Sequence, residues 1–446
     1  MIRTSRNWSA VLLLCTSALV LTGCGEGGGD PSAQIGPDPK LPEQQQFLLP
    51  PMHLASVIGW KESETPKVPE GLKIEALATG LEHPRQPYVL PNGDILVVES
   101  RSPGTEAIKR PKDLIMGWVE SFVTSGGDNG KGSNRITLIR DTNGDGKPEA
   151  TSVFLDHLNS PFGVVLVGND LYVADTDAIL RFPYQEGQTR IDAPGTVLTP
   201  LPGGPIDHHW TKSLTASRDG RLLYVGIGSN SNITENGMEA EKQRAAIWEV
   251  DRQTGRYRVF ASGLRNPNGL TFEPSSGALW AVVNERDELG PDLVPDYLTS
   301  VKDGAFYGWP YSYYGQHVDP RVQPQRPDLV AKAIPPDYAL SSHVAPLGLA
   351  FYTGTSLPEK YRGGAFIGEH GSWDRGHFNG YKVVFVPFSG GRPGGKAEDV
   401  ITGFLNDRGE AHGRPVGLAV DKAGALLIAD DVGNTVWRVT AAAGQS

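Results

Sequence analysis

The chain is predicted to be all-β, a six-bladed β-propeller, and three observations carry that prediction. One apolar strand pattern recurs six times, glycine and proline are abundant, and no convincing helix period appears after residue 46. Of 446 residues, 55 are Gly and 35 are Pro, as expected of many short strands joined by turns. Copies spaced roughly 50 to 85 residues apart point to radial repetition of one four-stranded unit, with loops of uneven length. A β-sandwich, or two separate β domains, is the competing arrangement.

The N-terminus is expected to lie outside that fold. Arg3 and Arg6 precede the apolar run "AVLLLCTSALVL", which is too short to span a membrane as a mature helix, and "LTGC" follows. This is the pattern of a secretory signal over residues 1–23. The end of the run resembles the lipobox of bacterial lipoproteins, which implies cleavage before Cys24 and lipidation of its thiol. Residues 24–46 read as the lipidated Cys and a flexible tether, and 47–446 as the propeller. The chain's two cysteines are Cys15 and Cys24, so the mature domain has no disulfide, no cysteine-type zinc site and no haem attachment motif. The expected location is exported, on the periplasmic side, with membrane contact through the lipid anchor only. The net charge of −10 has no basic block, which excludes nucleic acid as a partner.

The repeated strand reads, in order, "NGDILVVES" from Asn92, "GNDLYVADT" from Gly168, "DGRLLYVGIG" from Asp219, "SGALWAVVNE" from Ser276, "GGAFIGEH" from Gly363 and "AGALLIADD" from Ala423. Turn residues open each one, and β-branched or aromatic residues fill it. Related segments lie upstream: "HPRQPYVLP", "NSPFGVVLV", "RNPNGLTFEP", "VAPLGLAFY" and "GRPVGLAVD". Acids recur at the strand ends (Glu99, Asp175, Glu285, Glu369, Asp430), which suggests polar groups at one end of a channel.

Two motifs invite chemistry and carry little. "GGDNGKGSN" lacks the Ser or Thr of a phosphate loop and no helix follows, so it reads as a flexible loop. In "RDTNGDGKPE", Asp141, Asn143 and Asp145 alternate before Gly146. That spacing suits a structural Ca²⁺ or a polar β-turn equally well. The pair His208-His209 is more informative. An imidazole of pKa about 6.5 is a natural acid–base group near neutrality.

Three further segments, "GLRNPNGLTF" from Gly263, "NERDELGPDLVPD" from Asn284 and "YGWP" from Tyr307, together resemble the pyrroloquinoline quinone (PQQ)-dependent sugar dehydrogenases. That group holds soluble glucose dehydrogenase, aldose sugar dehydrogenase and the L-sorbosone dehydrogenase-like proteins. The resemblance spans residues 70 to 440, and "EHGSWDRGHFNGYKVVFVPF" is most similar to the sorbosone branch. It implies that His209, five residues before Leu214, is the general base, with His208 as neighbour or binder. It implies that Arg265 and Asn266 contact the quinone, where a fixed cation stabilises developing negative charge. His343, Arg414, His412 and Arg375 fall at or near further cofactor positions, and Asn159 stands where the family has glutamine. The backbone carbonyls of Gly290 and Pro291 match the pair that holds a catalytic Ca²⁺, a Lewis acid bound by hard oxygens. "RDEL" lengthens the loop before Gly290, so Glu288 or Asp292 could add a carboxylate.

The resulting expectation is a quinoprotein oxidoreductase that oxidises a sugar or a sorbosone-like aldehyde and passes electrons to an external acceptor. Ser229 stands where glucose dehydrogenase has Asp, which argues against glucose itself. A calcium-dependent lactonase propeller and a non-catalytic propeller binding module are the alternatives.

Overall fold

The computed structural model describes residues 31–47, 52–104 and 133–442. The signal sequence, Cys24 and all of "GGDNGKGSN" but its last two residues lie outside them.

Six four-stranded antiparallel sheets follow one another along the chain. We number these blades one (84–155), two (163–200), three (214–262), four (266–342), five (346–401) and six (415–441). Blade six takes its outermost strand from the other end of the chain. Leu72–Thr79 pairs with Thr435–Ala441, from Leu72 opposite Ala441 to Thr79 opposite Thr435, and so closes the ring.

The six patterns recognised in sequence are the second strands: Ile95–Glu99, Asp170–Ala174, Leu222–Ile227, Leu279–Asn284, Ala365–Glu369 and Leu426–Asp430. They are almost wholly buried because neighbouring blades cover both faces, which explains continuous apolar runs instead of alternation. The five upstream segments form innermost strands. Their free edge faces the channel, so Pro84, Pro267, Pro346 and Pro415 cost no sheet hydrogen bond there. Four of the five share a glycine (Gly163, Gly269, Gly348, Gly417), where the first has Gln86, and it has a packing cause. A Cβ at Gly163 would lie 2.5 Å from Leu214 Cβ of the next blade, and one at Gly417 would lie 2.6 Å from Gln86 Oε1 of blade one. Without side chains at these points the inner strands converge on a cavity of about 300 Å³.

The expected tether is not free where the structure describes it. Gly36 exchanges backbone hydrogen bonds with Ala339 on the outer edge of blade four, and Gln45 N–H donates to Leu289 O. Ile35 and Leu41 pack on apolar clusters. A polar composition read as a linker instead forms a strap against the blade. The "RDTNGDGKPE" segment is a turn between Arg135–Arg140 and Ala150–Leu155. Its Asp141 accepts from Gly144 and Gly146 N–H, and its Asp145 from Lys147 N–H.

Candidate active site

Inner strands all begin, and second strands all end, at one mouth of the channel. The strand-end acids serve largely to tie that mouth together. Asp175 accepts Asn159 N–H, Asp430 accepts Arg414 N–H, and Glu99 accepts Glu82 N–H. Each bond fixes the residues that lead into an inner strand. Blade three has Gly228-Ser229 in place of the acid, and the Ser229 carbonyl does the same work, accepting His209 N–H at 3.3 Å.

The same carbonyl lies 2.9 Å from His209 Nδ1, with Ser229 Oγ at 3.0 Å. A carbonyl only accepts, so Nδ1 carries the proton and Nε2 keeps a lone pair. Burial, the positive charge of Arg265 and that of His208 hold this imidazole well below the usual 6.5. The His208 and His209 rings meet edge to face at 4.4 Å.

Below them an apolar floor closes the channel. Phe162, Trp210, Leu347 and Val416 come from four different blades or their approaches, and Phe162 meets Trp210 edge-on at 6.1 Å. The Arg85 guanidinium lies over both rings, 5.7 Å from Phe162 and 5.3 Å from Trp210. Arg85 is ion-paired with Asp431, which also accepts from His370 Nε2 at 3.1 Å. Arg414 lies over the Tyr381 ring at 5.0 Å and donates to its hydroxyl at 3.1 Å.

Arg265 is buried. It donates to Asp287 Oδ2 at 3.0 Å and to Glu285 O at 2.7 Å. Asp287 Oδ1 faces His343 Nδ1 at 3.2 Å, and His343 Nε2 faces Gly290 O at 3.1 Å. Although burial opposes it, the carboxylates of Asp287 and Asp374 raise His343 to about 9. Arg265 and His343 hold Asp287 at about 2 against its burial. Burial pushes Asp374 up to about 7.

His209, Arg265, Asn266, His343 and Arg414 thus stand at the same mouth. Two expected site residues, Arg375 and His412, are engaged elsewhere. Arg375 is buried in an ion pair with Asp292 at 2.6 Å and donates to Ser342 O. His412 turns to the N-terminal segment, stacked on Trp60 at 4.9 Å with Nδ1 2.9 Å from Gly59 O. Asn159, just before blade two, is held at the mouth by Asp175 through its backbone and its side chain is exposed. The carbonyl of Gly290 is taken by His343 and by Leu293 N–H at 3.3 Å, so this pair does not present two free carbonyls to an ion. The carboxylate that the longer loop adds is Asp287. Glu288 N–H instead donates to Asp374, and Asp292 pairs with Arg375.

Fit to a large anionic cofactor is testable on buried polar atoms. Among the described residues Arg265 Nε, Asn266 Oδ1 and Arg414 Nε have no hydrogen-bond partner. Buried polar groups are ordinarily paired, so orphans at one mouth mark a place for a polar ligand. Two guanidiniums around an apolar floor match a flat polycarboxylate, and the Asn266 oxygen asks for a donor on the same ligand.

The fold is a six-bladed propeller with one polar mouth, and known proteins similar to this chain include sugar dehydrogenases. Residues 169–372 match the family model described as Glucose / Sorbosone dehydrogenase, and residues 322–442 match one described as TrAA12-like. Over the first of these stretches, just under half of the chain, the sequence is similar to the glucose/sorbosone dehydrogenases. An uncharacterized protein of Borreliella burgdorferi is 29% identical over 292 residues, 63% of this chain and 76% of its own length. The aldose sugar dehydrogenase YliI of Escherichia coli is 29% identical over 178 residues, 37% of this chain and 46% of that enzyme. Among solved structures, the holo PQQ domain of pyranose dehydrogenase from Coprinopsis cinerea superposes with a TM-score of 0.67 at 20% identity. It covers 87% of this chain and 100% of that domain, and at this identity the likeness speaks for the fold.

Proposed function

We propose that the protein oxidises a sugar or a sugar-derived aldehyde with PQQ as its cofactor and hands the electrons to an external acceptor. The observation that carries this reading is the convergence of a base-competent His209 with Arg265, Asn266 and Arg414 around one apolar floor. Bound PQQ supplies the two-electron acceptor that takes the substrate's carbon-bound hydrogen as hydride. Arg265 and Arg414 would hold its carboxylates and quinone oxygens through the N–H groups left unpaired, and Asn266 Oδ1 would accept from its ring N–H. His209 Nε2 takes the substrate hydroxyl proton, a role that suits a ring held neutral by its surroundings. An aldehyde reacts as its hydrate, which offers both the hydroxyl and the hydrogen. Trp210 and Phe162 exclude water from below the reacting centre. The reading includes export and anchoring through Cys24, which rests on the N-terminal pattern alone.

Reconstitution tests it. Purified apo-protein is mixed with PQQ and divalent cation, and dye reduction is followed with aldoses, sorbosone and pyranoses. Quinone absorbance retained after gel filtration, with sugar-dependent dye reduction, is the expected result. No retained quinone together with lactone hydrolysis would move the protein to the lactonase class.

A further inference from the structure

We propose that Asp287, His343 and Asp374 form a site for one divalent transition-metal ion of the zinc or manganese type, with the Gly290 carbonyl as an outer support instead of a ligand. One potential ligand atom from each of the three residues lies within 4.8 Å of the others. The stronger observation is how each side chain is divided between two tasks. Asp287 gives Oδ2 to Arg265 at 3.0 Å and turns Oδ1 towards His343. His343 gives Nε2 to Gly290 O at 3.1 Å and turns Nδ1 towards Asp287. Asp374 accepts Glu288 N–H on Oδ2 at 2.8 Å, while its Oδ1 has no partner although the residue is 1% exposed.

This is the pattern of supported metal ligands. A ligating histidine characteristically donates its second ring N–H to a carbonyl or carboxylate, which fixes the tautomer and aims the other nitrogen. The 3.2 Å between Asp287 Oδ1 and His343 Nδ1 suits two ligands that share an ion about 2.1 Å from each. An imidazole with two carboxylates selects zinc, manganese or a similar ion, whereas calcium asks for about six to eight oxygens. The carbonyl that would have served calcium, Gly290 O, is already committed to His343. Three protein ligands leave a position open to a water or a substrate hydroxyl beside Arg265.

The inference deepens the proposed function by naming the class of ion, and rests on it only for what the ion would do there. Its test therefore uses no quinone. Full-length protein is stripped with chelator and dialysed against Mn²⁺, Zn²⁺ or Ca²⁺, and bound metal is counted by elemental analysis. Spin-echo spectroscopy of the Mn²⁺ form reads nitrogen coupling. One Mn²⁺ or Zn²⁺ per chain is expected, held at least ~10-fold more tightly than Ca²⁺ and weakened about 10–100-fold in the near-isosteric Asp374→Asn. The nitrogen signal should vanish in His343→Gln, with melting curves reporting that both variants fold. If a variant does not fold, nitrogen coupling and the ion order in the unaltered protein decide. Absence of stoichiometric binding, Ca²⁺ preferred without nitrogen coupling, or binding indifferent to both folded variants overturns the site. Metal bound as described, with no sugar-dependent dye reduction in the separate PQQ reconstitution, keeps the site and removes the dehydrogenase reading. Dye reduction without bound metal does the reverse.

Discussion

The Ser229 carbonyl oxygen receives two bonds from one residue, His209, at the backbone N–H (3.3 Å) and at ring Nδ1 (2.9 Å). The pair fixes both the ring's position and its tautomer, so Nε2 is the only nitrogen able to accept a proton. His209→Ala should lower turnover about 10²–10⁴-fold in the reconstituted enzyme and leave quinone retention unchanged. Steady-state kinetics beside a quinone-binding titration checks it, and a loss below tenfold would remove the ring from the role of base.

Gly228 lets that ring sit where it does. A Cβ there would fall 2.6 Å from Asn266 Oδ1 and against the His209 side chain. Gly228→Ala should therefore displace base and amide together, with at least a tenfold loss of activity and about 1–3 kcal/mol of stability. Activity and denaturant unfolding of the same preparation test both parts.

The base should have a pH signature. The folded imidazole is held below 6.5 and an unfolded one is not, so the native state binds fewer protons as pH falls. This contribution to stability is present above pH 6.5 and is lost below it. The acid limb of kcat/KM should likewise lie below pH 6.5. Arg265→Gln removes a positive neighbour and should move that limb upward while reducing the rate, as a pH–rate series would show.

On the opposite side of the mouth, Asp431 and Arg85 are both largely buried, with side-chain exposures of 4% and 11%. His370 and Arg85 hold the Asp431 carboxyl well below the usual carboxylate range against its burial. Stability from this carboxylate is present above its unfolded value of about 3.9 and lost as pH falls. Arg85→Met leaves the acid to His370 and should cost about 1–3 kcal/mol at pH 7, whereas Arg85→Met combined with Asp431→Leu should recover much of it. Urea midpoints for the two variants decide.

The legible part of this molecule was local. Each second strand announces itself within ten residues, because both of its faces are buried and a turn opens it. His209, Arg265 and His343 were legible because each precedes or opens an inner strand inside a motif. Asp287 and Asp374 were not. They are 87 residues apart in a chain with 51 acids, and only the curvature of the ring brings blades four and five together around them. The strap was misread for a related reason. Its hold on blade four is made by backbone groups at Gly36 and Gln45, which side-chain composition does not encode.

The pairing of Leu72–Thr79 with Thr435–Ala441 also sets a timetable. During synthesis the earliest strand must wait, unpaired, for the one made last. Until that final segment arrives, the growing stack is an open arc with an unpaired sheet edge and a mouth that lacks one wall. Loss of even the last few residues before Ala442 should therefore injure the whole assembly, because it leaves a ring without a clasp.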